Sequence, residues 1–211
     1  MLSTFIPLAL VSLQGAKPAR VELTAADFFP MGAGIARTFS DTSQTTVTTT
    51  EEVGEPTKVL SQIASPVVVK QGDKIITTYY YRVDGDTVYL IGTDPKQPLP
   101  QPMPILQFKG QGSKWTFQGP ATTQKITELI QLKGESRLGK TMDIFGKKVL
   151  TIESKLEVME GQGRGADKVE QKAIYGQGIG LIELVSTTKV GHQSITTTRK
   201  LVSFQEAKSS G

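Results

Sequence analysis

The chain has 211 residues, 37% of them hydrophobic and 21% charged, with a formal net charge of +4 and a pI near 9.2. That length suits one substantial domain burying roughly 70% of its unfolded surface, and the composition excludes both a disordered polymer and a protein integral to a membrane. Cysteine is absent and His192 is the single histidine, which excludes thiol catalysis, disulfide exchange, iron–sulfur ligation and His/Cys zinc sites.

At the N-terminus the apolar run 5–13 precedes Gln14-Gly15-Ala16 and the first charge at Lys17, the outline of a secretory signal peptide. Residues 1–19 are therefore read as signal peptide and start of the mature chain, with a first core strand as the alternative. The run is too short to span a bilayer as a helix. No cysteine follows it, so a lipid anchor through an N-terminal cysteine is excluded. Residues 20–205 are read as one antiparallel β domain and 206–211 as a disordered tail.

From residue 35 onward the chain is rich in Thr, Val, Ile, Tyr and Phe, punctuated by Gly, Pro and Asp-Gly. Ile75, Thr77, Tyr79, Tyr81 and Val83 alternate with Ile76, Thr78, Tyr80 and Arg82, and Asp84-Gly85 then supplies a tight hairpin turn into a returning strand at 87–92. Leu150, Ile152, Leu156 and Val158 alternate with Thr151, Glu153, Lys155 and Glu157, the pattern of a strand with one buried and one wet face. Further strands are expected over 35–51, 58–70, 105–109, 114–118, 122–133, 168–175, 181–189 and 193–204. The fold class that follows is mainly β: a single curled antiparallel sheet, half-barrel or open barrel, of about ten strands with little helix. Five prolines within residues 94–104 must run extended, are barred from a central strand, and read as a crossover between two halves of the sheet.

Residues 134–141, GESRLGKT, spell the nucleotide-binding P-loop. That loop works only where a buried strand delivers it to a helix N-terminus, whose free N–H groups hold phosphate. Here the following residues carry Gly146 and then β-branched alternation, so the segment reads as a turn entering a strand, with Gly134 and Gly139 as turn residues and Lys140 exposed. The match is treated as a coincidence of spelling. The clusters 161–165 and 176–180, each with three glycines, read as hairpin turns needing positive φ. His192 with Ser194 lacks a nucleophile-elbow pattern. Asp84 and Asp86 supply too few oxygens for calcium, and Glu153 and Glu157 fall on a wet strand face. Lys and Arg are spread along the chain without a dense basic block or a recognisable module, so no nucleic-acid partner is expected.

Aromatic residues concentrate around the proline stretch. Tyr79, Tyr81, Phe108, Trp115 and Phe117 are the candidate ligand-binding set if the sheet curls and they line its concave face; a packed core is the simpler reading of the same residues. No catalytic residue, metal or cofactor is expected.

Asp27-Phe28-Phe29-Pro30-Met31-Gly32-Ala33-Gly34, Tyr81–Leu90, Pro104–Phe108 followed by Trp115, and Tyr175–Glu183 resemble short motifs of a group of exported bacterial proteins of unknown function. In that group the mature chain opens on a Tyr-Phe-Pro-Leu-x-x-Gly-Asn-x-Trp-like stretch, from which this sequence departs at Ile35-Ala36-Arg37. The resemblance implies an exported antiparallel sheet similar in outline to the half-barrels of lipoprotein-carrier-type envelope proteins, with a turn and strand over 142–156. It carries no catalytic residue. The expectation is thus an exported protein, periplasmic or extracellular, with a lipid or other hydrophobic ligand, or a cell-envelope protein, as its partner. A structural or surface module without a small ligand is the alternative, with a P-loop nucleotidase or Ser-His hydrolase more remote.

Overall fold

A computed structural model describes residues 22–43, 45–123, 126–160, 167–191 and 193–207. Among the described residues one short helix, α1 (Ala25–Phe28), is followed by fifteen strands in chain order. The first half holds β1 (Ala36–Thr42), β2 (Thr46–Val53), β3 (Thr57–Val59), β4 (Gln62–Gln71), β5 (Lys74–Asp84), β6 (Thr87–Gly92) and β7 (Met103–Gln107). The second holds β8 (Gly112–Thr123), β9 (Ile126–Leu138), β10 (Met142–Ile144), β11 (Lys147–Val149), β12 (Thr151–Glu160), β13 (Asp167–Gly176), β14 (Gly180–Val190) and β15 (Gln193–Gln205).

Twelve of them form one continuous antiparallel path, β7-β6-β5-β4-β2-β1-β15-β14-β13-β12-β9-β8, with β3 added on β4 and β10–β11 as a separate hairpin. The sheet curls into a nearly closed barrel whose two edges, β7 and β8, face each other across a seam. Side chains bridge the seam: Trp115 Nε1 donates to the Pro104 carbonyl at 3.3 Å, and Ser136 Oγ donates to the Gln107 carbonyl. The first and last strands, β1 and β15, are neighbours in the middle of the path.

Alternation decides which face each residue takes. On β12, Ile152, Ser154, Leu156 and Val158 turn inward. Its charged residues stand outside, where Glu153 pairs with Arg137 at 2.5 Å, Lys155 with Glu135 at 3.2 Å and Glu157 with Lys168 at 3.4 Å. On β5, Tyr79 and Tyr81 face the interior, while Tyr80 joins Tyr89, Val59, Ala64 and Ile91 in a small outer core beneath β3. Gly85, at φ 50°, makes the β5–β6 turn that Asp84-Gly85 announced.

One end of the barrel is closed by the segment before β1. Ala26 N bonds the Gly85 carbonyl at 3.0 Å, Gly110 N bonds the Leu23 carbonyl at 2.8 Å, and Gly178 N bonds the Asp27 carbonyl at 2.8 Å. These partners lie on the β5–β6, β7–β8 and β13–β14 turns, all at the same end of an antiparallel sheet. Phe28, fully buried, meets Phe108 edge-on at 5.3 Å, and around them pack Ala25, Val88, Leu106, Trp115, Leu132 and Ile152. Burial of each such side chain stabilises by about 1.5–3 kcal/mol.

Several expectations change. Among the described residues the strand count is fifteen rather than about ten, because 35–51 and 58–70 each contain two strands and residues 142–149 add the β10–β11 hairpin. The proline stretch is no crossover: it joins β6 to its own neighbour β7 and folds back so that Leu99 N bonds the Ile91 carbonyl at 2.7 Å. The jump from one edge of the sheet to the other comes at residues 108–111. Pro104 does sit on an edge strand, as its missing N–H requires. GESRLGKT runs along β9 and out of it into β10, with no helix behind it and Lys140 exposed. Its Gly134 is mid-strand rather than in a turn: it faces Trp115, and a Cβ there would stand 2.1 Å from the indole. Gly139 needs closeness rather than positive φ, since a Cβ would meet Thr151 Oγ1 at 2.5 Å. Residues 161–166, His192 and most of the predicted tail lie outside the described residues, as does the whole of the signal-peptide reading.

Gly134 and Lys140 can therefore be told apart by stability. Gly134→Ala is expected to lower the unfolding free energy by about 1–3 kcal/mol through overpacking against Trp115, and Lys140→Ala to stay within about 0.5 kcal/mol of the parent. Urea denaturation followed by Trp115 fluorescence measures both.

Candidate functional site

The inner wall opposite the seam carries charge. Arg37, Phe39 and Asp41 alternate on the inward face of β1, paired in register with Glu51 and Thr49 on β2 and with Arg199 on β15. Arg199 Nε donates to Asp41 Oδ1 at 2.6 Å, Nη1 to Glu51 Oε1 at 2.6 Å, and Nη2 to Thr49 Oγ1 at 3.0 Å. Its guanidinium also lies 4.8 Å from the centre of the fully buried Phe39 ring. One arginine thus joins three adjacent strands.

Arg37 is held differently. Only 5% exposed, it donates from Nε to the Ile179 carbonyl at 2.6 Å and from Nη2 to the Pro30 carbonyl at 2.7 Å. Gly180 makes room for it: at φ 95° it takes a conformation that suits glycine, and a Cβ there would come 2.8 Å from Arg37 Nε. The Gly176–Gly180 turn is thus both a hairpin and a seat for this guanidinium.

Between the walls lies a cavity of about 380 Å³. Arg37, Glu51 and Arg199 line it together with Tyr79, Tyr81 and Tyr175, from strands around the middle of the path. Leu90, Met103, Ile105, Ile130, Leu156 and Val158 line it from β6, β7, β9 and β12, the strands flanking the seam. In a nearly closed sheet these are opposing sides: the seam side is apolar apart from Ser154, and the other carries the charges and phenols among the apolar Val67, Val169, Ala173, Leu181 and Leu184. Phe29, next to the closed end, packs at 5.3 Å from Tyr81 and 6.1 Å from Tyr175.

Burial governs the ionisation of the polar wall. It pushes the Glu51 carboxyl above the usual carboxylate range even though Arg199 and Arg37 pull the other way. It lowers Arg37, with Glu51 opposing. For Arg199 burial also acts downward, but the hydrogen bonds to Asp41 and the charges of Glu51 and Asp41 win and raise it. The Tyr81 and Tyr175 phenols are raised by burial first, with the Glu51 charge adding to it. These groups offer hydrogen bonds, charge and apolar contact to whatever enters; among the described residues no cluster of three His, Cys, Asp or Glu side chains is placed to hold a metal.

The five aromatic candidates separate into two groups. Tyr79 and Tyr81 line the cavity with ring centres 5.9 Å apart. Phe108 and Trp115 are buried in the core near the closed end, and Phe117 packs against that core partly buried. Arg37, Asp41, Glu51, Arg199 and Tyr175 escaped the sequence reading. For Arg37, Asp41 and Glu51 the signal lies in the alternation of 36–42 and 46–53, which puts both charges of β1 on the face of Phe39.

No protein-family model and no curated protein matches the chain. Three solved structures are similar in shape. A presumed lipoprotein from Parabacteroides distasonis is 8% identical, with 84% of this chain and 98% of that one covered and a TM-score of 0.42. A presumed exported protein with a YmcC-like fold from Bacteroides fragilis is 10% identical over 85% of this chain and 99% of its own, TM-score 0.43. The hypothetical lipoprotein YmcC from Escherichia coli is 12% identical over 84% and 93%, TM-score 0.37.

Two variants probe the polar wall. Arg199→Leu leaves Asp41 and Glu51 largely buried without their cation, and a loss on the order of 3 kcal/mol is expected in urea denaturation. Glu51 gives a pH signature. Its folded pKa lies above its unfolded one, so its contribution is fully present below the unfolded value and fades as pH rises through the folded value. The stability of the parent relative to Glu51→Gln is therefore expected to fall as the pH rises through and above the ordinary carboxylate range. Thermal melts of both proteins across that range check the sign.

Proposed function

We propose that this chain is an exported, non-enzymatic protein that holds an apolar or amphipathic molecule inside its barrel. The observation that carries this reading is the cavity of about 380 Å³, lined mostly by apolar side chains, with two arginines, a glutamate and three tyrosines placed among them. Its size lies in the range of small-molecule sites, which are mostly apolar with a few placed polar groups. A purely structural barrel would fill that space with its own side chains. The export half of the proposal rests on the apolar run 5–13 and the small residues after it, which have the form of a secretory signal.

The test is direct binding of N-phenyl-1-naphthylamine, an uncharged fluorophore that brightens in apolar surroundings. The parent is expected to bind it saturably. Val158→Trp and Val169→Trp, which place an indole in the cavity, are expected to weaken binding at least about tenfold while the far-UV circular dichroism stays unchanged. Equal fluorescence from the parent and both filled variants would locate the dye elsewhere and overturn the reading. Native mass spectrometry of protein taken from its own envelope provides the second arm, in which a co-purifying small molecule is expected.

A further inference from the structure

The two arginines of the cavity differ in what neutralises them. Arg199 is bonded to two carboxylates, Asp41 and Glu51, and its charge is spoken for. Arg37 is 5% exposed and bonded only to two neutral carbonyls, those of Ile179 and Pro30, with no carboxylate at ion-pair distance among the described residues. Its third nitrogen, Nη1, has no hydrogen-bond partner among those residues, and Arg37 lines the cavity. A buried cation is normally paired, and one that is not is a strong attractor for an anion entering the same space. The guanidinium is also pre-oriented: two carbonyls fix Nε and Nη2, and Gly180 backs the plane. That arrangement leaves Nη1 to give a charge-assisted hydrogen bond to a carboxylate or phosphate oxygen.

We propose that Arg37 anchors the anionic head group of an amphiphile, a carboxylate or phosphate, whose hydrocarbon tail lies along Leu90, Ile130, Leu156 and Val158 on the seam side. This rests on the binding reading above and narrows it to anionic, single-tailed ligands. The charge of the head group completes what the chain leaves open at Arg37, and the tail meets a wall that is apolar apart from Ser154.

Isothermal titration calorimetry at neutral pH with decanoate, decanol and inorganic phosphate separates the alternatives. The parent is expected to bind decanoate about tenfold or more tighter than decanol, the factor that a charge-assisted hydrogen bond supplies, and to show no heat with phosphate alone. Arg37→Gln is expected to bind acid and alcohol equally, and Arg37→Lys to keep part of the preference for the acid. Equal affinity of the parent for decanoate and decanol would overturn the head-group proposal and leave the cavity reading standing. Binding of neither would overturn the cavity reading itself. Phosphate binding as tightly as decanoate would overturn the amphiphile and make the site one for a free anion. Should the Arg37 variants fail to fold, the comparison of acid, alcohol and phosphate on the parent still decides.

Discussion

The width of the barrel is the constraint from which the rest of the structure follows. Eight strands enclose an interior that side chains can fill, and each added strand widens it. Twelve strands on one path leave more space than their inward residues can occupy. The chain closes part of the gap with a segment that is not a strand: α1 and its neighbours dock on three turns and insert Phe28 against Phe108. At the seam Trp115 fills volume, and it fits only because Gly134 across from it has no side chain. What remains unfilled is the cavity, bounded by the plug on one end and by two unlike walls.

The polar wall answers a second problem, that of fixing register where the chain's ends meet. β1 and β15 are far apart in sequence and pair in the middle of the sheet, and both are rich in threonine, which suits a strand but distinguishes one register poorly from the next. Asp41 opposite Arg199 removes the ambiguity. A shift of β15 by one residue would send Arg199 outside and leave Asp41 and Glu51 buried and unpaired. The network therefore contributes specificity as much as stability. Its long sequence separation also makes β1–β15 pairing a contact of high loop-closure entropy in folding.

Much of the sheet was legible because period-two patterning and turn chemistry agree there. Over 74–92 the alternation, the Asp84-Gly85 turn and the returning strand all appear where the residues place them. Over 35–51 they disagree: residues 43–45 carry no Gly, Pro or Asn-Gly signal in sequence, so two strands read as one and the facing of Arg37, Asp41 and Glu51 was lost. Gly134 was misread for a related reason. A glycine whose role is to admit an indole from the neighbouring strand looks, in sequence, like a glycine that makes a turn. Charged residues are read as wet by type, and only closure of the sheet turns Arg37 and Arg199 inward.

The position of Arg37 also sets a direction inside the cavity. Its two carbonyl partners belong to Pro30 in the plug and to Ile179 in the β13–β14 turn, both at the closed end. The unpaired charge therefore sits deep, near Phe29, rather than at the rim. Glu51 stands in register with Arg37 yet turns its oxygen to Arg199, so it screens the charge without occupying the free nitrogen. An amphiphile entering head first would exchange the hydration of one anionic group for a fixed, desolvated cation, while its tail trades water for the residues beside the seam. Both steps are favourable only in that orientation, because a tail-first entry would bury the hydrocarbon against Arg37 and leave the guanidinium as costly as before.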